Sequence, residues 1–261
     1  MQDFLSVISG SLVGFVLGLV GGGGSIIAVP LLLYVVGIGS PHLAIGTSAI
    51  AVSLSALTNL VNYARKGLVK WPCALTFSAA GVVGAWGGSS LAILVSGDRL
   101  LAVFGGVMVV VGIVMALRKD AEGNPDIRLD FSTARELLPL LLLIGLTVGA
   151  LSGFFGIGGG FLIVPGLMIA TGMPIPYAIG TSLVAVAIFG ATTSANYALA
   201  GLVDWRIAAY FIGGGIFGGL VGSLVGQRLG QKNNMLNIVF ASFVILIGLY
   251  IASKGISDLV A

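Results

Sequence analysis

Two glycine-rich stretches, one in each half of the chain, decide the predicted fold: GGGGSIIAVP at Gly21–Pro30 and GIGGGFLIVP at Gly156–Pro165. Both lie in apolar surroundings, and clustered glycines weaken a helix because glycine loses the most conformational freedom on folding. At membrane depth, the freed backbone groups must be buried in protein or line a wet cavity. The two stretches therefore predict a broken or re-entrant helix in each half.

The composition places both stretches in a membrane protein. Of 261 residues, 57% are hydrophobic and 8% are charged, and the mean hydropathy is +1.14. A typical soluble domain has about 25% charged residues, so this chain could not cover itself with a hydrated surface. Apolar runs of about 20 residues favour spanning helices over barrel strands. We predict an all-α, polytopic helical bundle whose partner is the lipid bilayer.

Several functional classes are excluded. The single cysteine, Cys73, rules out a disulfide framework and a cysteine-based metal cluster. The basic residues are few and scattered over short loops, which the positive-inside bias explains better than a nucleic-acid surface does. No phosphate-binding loop, zinc-protease motif or nucleophile elbow occurs in the sequence. We therefore predict no enzyme activity, no catalytic residue, no cofactor and no metal site.

The two halves of the chain repeat one another, with an N-terminal membrane repeat at 1–117, a polar cytoplasmic linker at 118–136 and a C-terminal membrane repeat at 137–261. Three motifs recur in the same order in both repeats. They are Gly46-Thr47-Ser48 and Gly180-Thr181-Ser182, Asn62-Tyr63 and Asn196-Tyr197, and Gly67-Leu68-Val69-x-Trp71 and Gly201-Leu202-Val203-x-Trp205.

Matched loops of the two repeats carry unlike charge. The loop ahead of the tryptophan carries Arg65, Lys66 and Lys70 in the first repeat, whereas Asp204 replaces Lys70 in the second, which has no basic residue there. Lys and Arg accumulate in cytoplasmic loops, so the matched loops are expected on opposite sides of the membrane. This favours inverted over parallel repeats.

The apolar piece after each glycine cluster is short. At about 12 residues, or about 18 Å of helix, it does not cross the ~30 Å hydrocarbon core. We interpret it as a half-helix or the returning limb of a hairpin, whose free N–H groups and positive dipole end form an anion site. Close packing of helices is the alternative interpretation of glycines, and we assign it to Gly14, Gly18, Gly81, Gly84, Gly88, Gly215, Gly218, Gly219 and Gly222.

The polar residues of the spans suggest how a solute is held. Every acidic and basic residue falls in a terminus, a loop or the linker, so neutral donors are left, and these suit an anion. The Thr-Ser pairs could instead start helices or bond to the previous turn, and the asparagines could join helices. The tyrosines and tryptophans of the repeated motifs are assigned to the interfacial aromatic belt.

The predicted site has two parts. The substrate-binding residues are Gly22, Gly23, Gly24, Ser25, Thr47, Ser48, Asn62, Gly158, Gly159, Gly160, Thr181, Ser182 and Asn196. The residues of the cytoplasmic mouth are Arg65, Lys66 and Lys70.

The duplicated set of motifs resembles the TauE/SafE sulfite-exporter family. The resemblance implies a multi-pass permease of the bacterial inner membrane that exports a small sulfur-containing or organic anion, such as sulfite or sulfoacetate. The repeats depart from one another where Gly22 faces Ile157 and Ser25 faces Gly160, so the two half-sites are expected to contribute unequally. A carrier for a neutral or cationic metabolite and a non-transporting scaffold remain alternatives. A homodimer is compatible with the sequence.

Overall fold

The computed structural model describes residues 1–117, 133–156, 160–229, 242 and 245–253, and the regular elements within these ranges are all helical. The predicted all-α membrane fold is confirmed. Within these ranges six helices are long and apolar enough to cross a membrane. Much of the predicted linker, 118–132, lies outside the described residues, and a helix begins at Ala134, inside the predicted linker.

The elements of the first repeat follow one another with short connections. They are α1 (Gln2–Val20), a 3₁₀ segment (Gly21–Ile27), α2 (Ala28–Pro30), a π-helical segment (Leu31–Val36), α3 (Pro41–Arg65), α4 (Trp71–Leu94) and α5 (Gly97–Leu117). The residues from Gly21 to Val36 are called the first short limb. A proline in the first turn of α3 and of α4 fixes φ where no intrahelical N–H bond is lost.

The second repeat has the same order. It contains α6 (Ala134–Phe155), α7 (Gly160–Thr171), α8 (Ile175–Leu199) and α9 (Trp205–Leu229), and residues 245–253 are also helical. Helix α7, called the second short limb, has 12 residues, so both limbs are short, as predicted.

Rows of glycine let helices of different repeats touch through their backbones. A methyl group at Gly10 of α1 would collide with the backbone of Phe211, and one at Gly14 with that of Gly215 in α9. Contacts advance in the same direction along both helices, so α1 and α9 are parallel. Without side chains between them, the two helices gain dense van der Waals contact.

The symmetry-related pair, α4 with α6, is built in the same way. Gly149 of α6 meets the backbone of Gly81, and Gly153 meets that of Ala85 in α4, so α4 and α6 are also parallel. The first helix of each repeat therefore packs against the third long helix of the other repeat. The predicted packing role of Gly14, Gly18, Gly81, Gly84, Gly88, Gly215, Gly218, Gly219 and Gly222 is confirmed by such close contacts.

Helices α3 and α8, which are matched between the repeats, cross at the centre of the molecule. The hydroxyl of Ser53 donates to the carbonyl of Ala187 at 2.6 Å, and these two residues hold equivalent positions in the repeats. Gly46 near the start of α3 meets Leu202 beyond the end of α8, whereas Gly180 near the start of α8 meets Leu68 beyond the end of α3. The two matched helices are therefore antiparallel.

The aromatic residues of the repeated motifs fall into two groups. Trp71 and Trp205 are 47% and 60% exposed, as an interfacial belt requires. Tyr63 and Tyr197 are only 5% and 0% exposed, so their assignment to the belt is wrong. Both tyrosine rings fill the interior, because their helices pack against the other repeat on that face.

Candidate functional site

The chain turns back at both glycine clusters. In the first repeat α1 ends at Val20, and Gly24 already packs against the backbone of Leu17. In the second repeat α6 ends at Phe155 and Gly156 adopts a φ of 64°, a left-handed conformation that costs a residue with a side chain roughly 1–2 kcal/mol. The predicted helix breaks are present at both clusters.

Each turn packs against elements of the other repeat, and these contacts are called the meeting point of the repeats. The 3₁₀ segment of the first limb contacts the second limb, α7, and also contacts α8. Gly156 lies against the side chain of Ile45 in α3, and the hydroxyl of Ser48 donates to the carbonyl of Gly156 at 3.3 Å. The turn of each repeat is therefore held by helices of the other.

The surroundings of this meeting point are buried and uncharged. Ser25, Thr47, Ser48, Thr181 and Ser182 are fully buried. In the part of the chain that the structure describes, no cluster of His, Cys, Asp or Glu could hold a metal ion. The first N–H groups of each limb have no partner within their own helix, so what the site offers is N–H and hydroxyl donors.

The two threonines of the Gly-Thr-Ser motifs make reciprocal hydrogen bonds across the repeats. The hydroxyl oxygen of Thr47 accepts from the backbone N–H of Asp204 at 3.0 Å. The hydroxyl oxygen of Thr181 accepts from the backbone N–H of Lys70, also at 3.0 Å. Each acceptor hydroxyl still has its own hydrogen to donate, so these bonds leave the predicted contact with a solute open.

The two serines that follow the threonines bond to the preceding turn of their own helices. Ser48 donates to Ile45 at 2.9 Å as well as to Gly156, and Ser182 donates to Ile179 at 2.7 Å. The bond to the previous turn, the alternative considered from the sequence, is therefore formed in both repeats. Ser48 also reaches the glycine tract of the other repeat.

The two asparagines join helices of different repeats. Asn62 donates to the hydroxyl of Ser223 at 3.1 Å, and Asn196 donates to Ser89 at 2.8 Å and Ser90 at 2.9 Å. Ser89 and Ser223 hold equivalent positions after Trp71 and Trp205, so the two contacts are matched. The asparagine amides thus bridge helices, and a contact with solute stays a prediction.

The remaining predicted residues lie around this centre or at one end of the bundle. Gly22 and Gly23 belong to the 3₁₀ segment, Gly160 begins α7, and Gly158 and Gly159 lie outside the described residues. Arg65 and Lys66 are exposed at the end of α3. The ammonium of Lys70 lies 4.6 Å from the centre of the Tyr177 ring, which is cation–π distance.

Sequence reasoning missed the backbone partners of the repeated motifs. It singled out Gly46 and Thr47 but not the carbonyl of Leu202 and the N–H of Asp204, against which they pack. The signal was present in the sequence, because the Gly-Thr-Ser and Gly-Leu-Val-x-Trp motifs always occur together. Reading each motif as the partner of the other repeat's motif would have found the contact.

Comparisons with known proteins agree with this architecture. The family described as "Sulfite exporter TauE/SafE" matches residues 6–251. A "Probable membrane transporter protein" of Xylella fastidiosa strain 9a5c is 48% identical over 257 residues, covering 98% of this chain and 97% of the relative. The "Probable membrane transporter protein YunE" of Bacillus subtilis is 26% identical over 234 residues, covering 83% of this chain and 86% of the relative. No solved structure matches the chain significantly.

Proposed function

The chain belongs to the TauE/SafE family, and we propose that it is a secondary transporter that exports a small sulfur-containing or organic anion across the bacterial inner membrane. The observation that carries this proposal is that each glycine turn packs against helices of the other repeat, beside buried and uncharged side chains. The names of the relatives, which describe probable membrane transporters, support the part of this proposal that concerns transport.

An anion suits this centre for electrostatic reasons. Each short limb begins at the turn, so the positive end of its dipole lies at the turn, where an anion is stabilised. In the described helices, charged residues occur only in first or last turns, so no carboxylate competes with the solute. Broken helices whose N-termini point at an anion are the usual device of transporters built from repeats.

We further propose that the repeats are inverted in the membrane. The antiparallel crossing of α3 and α8 supports this, as do the two parallel pairs α1–α9 and α4–α6. In α3 and α9, Asn59 meets Gly219 and Asn62 meets Ser223, so these two helices are parallel. In α4 and α8, Phe77 meets Phe189 and Trp86 meets Asn196, so these two helices are parallel as well. Helices α1, α3 and α9 therefore point one way, and their counterparts α6, α8 and α4 point the other way.

The charge distribution supports one orientation of this bundle. Arg65, Lys66 and Lys70 lie at the face where α3 ends, and the opposite face carries the ion pair of Arg206 with Asp3. Basic residues accumulate on the cytoplasmic side, so we assign the Arg65 face to the cytoplasm. A negative cell interior then favours anion exit by ~2.3 kcal/mol per charge per 100 mV.

Flux in proteoliposomes tests the proposal. Vesicles loaded with labelled sulfite or sulfoacetate are expected to lose label faster when the interior is made negative and more slowly when it is made positive. Efflux that does not depend on the membrane potential would point to a neutral carrier and contradict the proposal. An absence of flux for sulfite, sulfonates and small carboxylates would favour a scaffold and contradict it as well.

A further inference from the structure

We propose that the two reciprocal threonine contacts are the gates of the transport path and that they open in turn, an inference that rests on the proposed function. The Thr47 gate is formed by Gly46 and Thr47 with Leu202–Asp204. The Thr181 gate is formed by Gly180 and Thr181 with Leu68–Lys70. The sequence alone did not indicate these two contacts, because each joins residues that are far apart in the chain.

Each gate consists of one hydrogen bond and one glycine contact. In the Thr47 gate, the N–H of Asp204 donates to the Thr47 hydroxyl at 3.0 Å, and Gly46 fits against the carbonyl of Leu202. The Thr181 gate repeats the arrangement with Lys70 and Leu68. Such a contact closes tightly because no side chain stands between the backbones, and it reopens with the loss of a single neutral hydrogen bond.

The gates lie at opposite ends of the molecule. Helix α3 spans Pro41–Arg65, and at ~1.5 Å per residue Thr47 lies about 27 Å along it from Arg65. The Thr47 gate lies about two turns from the start of α3, and the Thr181 gate lies just beyond its end. Both hydrogen bonds are formed in this structure, so both proposed gates are shut in it.

The helix packing supplies a reason for the gates to alternate. Helices α1, α3 and α9 form one parallel group and α4, α6 and α8 form the other, with backbone contact along the glycine rows in each group. The groups cross at Ser53 and Ala187, midway between the gates. A rocking motion about that crossing separates one gate and presses the other together.

Adjacent residues connect the Thr47 gate to the glycine turn. Thr47 accepts from the loop at Asp204, and the next residue, Ser48, donates to Gly156. A solute that draws the Gly156 turn toward itself therefore pulls on the residue beside the gate. The first limb's 3₁₀ segment likewise contacts α8, the helix that carries Thr181.

The two gates are fastened differently. The loop of the Thr47 gate is held by the carboxylate of Asp204, which accepts from the N–H of Ile207 at 3.0 Å and caps α9. The loop of the Thr181 gate is held across the repeats, because the ammonium of Lys70 lies over the Tyr177 ring of α8. Removing the Tyr177 ring loosens one gate without touching either threonine.

Thiol labelling from each face tests the gates in the full-length protein. The reporter is a Ser25→Cys variant at the buried centre, in a Cys73→Ser background, labelled in oriented vesicles with a membrane-impermeant maleimide. We expect Thr47→Val to raise labelling from the Thr47 face and lower it from the other face, each about fivefold, as the loss of one buried hydrogen bond predicts. Thr181→Val should do the reverse, and Thr47→Ser and Thr181→Ser, which keep the acceptor, should label like the parent.

Tyr177→Leu is the second test if a valine variant does not fold. It is expected to raise labelling from the Thr181 face only. Equal increases in labelling from both faces, or unchanged labelling with a lower melting temperature, would show that the contacts only stabilise the fold. Either result would overturn the proposal that they are gates. Opposite labelling shifts, together with no anion flux by the parent protein without the Ser25→Cys change, would uphold the gates and refute the proposed function alone.

Discussion

The two short limbs lie at matched glycine clusters and end before matched glycines, yet they are wound differently. The first is a 3₁₀ helix, then a single α-turn, then a π-helix, whereas the second is a regular α-helix. Both are followed by a left-handed glycine, Gly37 with φ 81° and Gly172 with φ 69°. The repeat therefore determines where the chain turns and stops, and the individual residues determine how each limb is wound.

This difference makes the two half-sites chemically unequal. A 3₁₀ helix is narrower than an α-helix, and each N–H bonds to the carbonyl about three residues before it rather than about four. The N–H donors at the starts of the two limbs are therefore spaced differently. The first limb also packs directly against α1, where Gly24 meets the backbone of Leu17. We expect the first turn to be the more rigid of the two.

The largest expected effect comes from a methyl group at each turn. Gly24→Ala collides with the backbone of Leu17, whereas Gly156→Ala collides with the Cγ2 methyl of Ile45, which a β-branched side chain cannot easily move. Overpacking typically costs ~1–3 kcal/mol, and at Gly156 the left-handed backbone strain adds about 1–2 kcal/mol. Thermal unfolding and flux of both variants should show losses at or above the upper end of the overpacking range.

Gly172→Ala is the matched control for these turns. Its φ of 69° is close to that of Gly156, but nothing lies within 4 Å of the added methyl group. Only the backbone strain of about 1–2 kcal/mol remains, so the variant should be less stable and still transport. A Gly172→Ala protein that loses transport as Gly156→Ala does would show that strain, not the contact at Ile45, matters.

The matched asparagines are expected to differ by a smaller amount. Asn196 donates to two serine hydroxyls, whereas Asn62 donates to one. A hydrogen bond between membrane helices contributes about 0.6–2 kcal/mol, so Asn196→Leu should lower the free energy of unfolding by about one such bond more than Asn62→Leu. Denaturation in detergent measures these free energies, with Ser223→Ala as the variant of the partner residue. Equal losses of unfolding free energy in the two asparagine variants would contradict the contact difference.

The matched tyrosines should differ less still. The hydroxyl of Tyr63 donates to the carbonyl of Gly18 at 3.2 Å, whereas that of Tyr197 has no partner among the described residues. Tyr63→Phe is expected to cost about 1 kcal/mol, and Tyr197→Phe is expected to be neutral or stabilising. A destabilised Tyr197→Phe protein would reveal a bonded group, such as a buried water, at that hydroxyl.

The sequence predicted the glycine turns, the short limbs and the repeat because each leaves a local signature in composition or spacing. It did not predict that Thr47 meets Asp204 or that Asn62 meets Ser223, because these partners come from the other repeat and depend on how helices pair. The 3₁₀ and π windings of the first limb also escaped prediction, since the matched segment of the second repeat is a regular α-helix. The burial of Tyr63 and Tyr197 was missed because an aromatic residue near a helix end suits both an interface and a core.

A crystal grown with selenite, a heavier analogue of sulfite, gives the most direct measurement of where the anion binds. Anomalous scattering from selenium is expected to peak between the Gly21–Gly24 backbone and Gly156, within hydrogen-bond distance of the backbone N–H groups. A peak confined to Arg65 and Lys66 at the end of α3, with none between the two turns, would contradict the account.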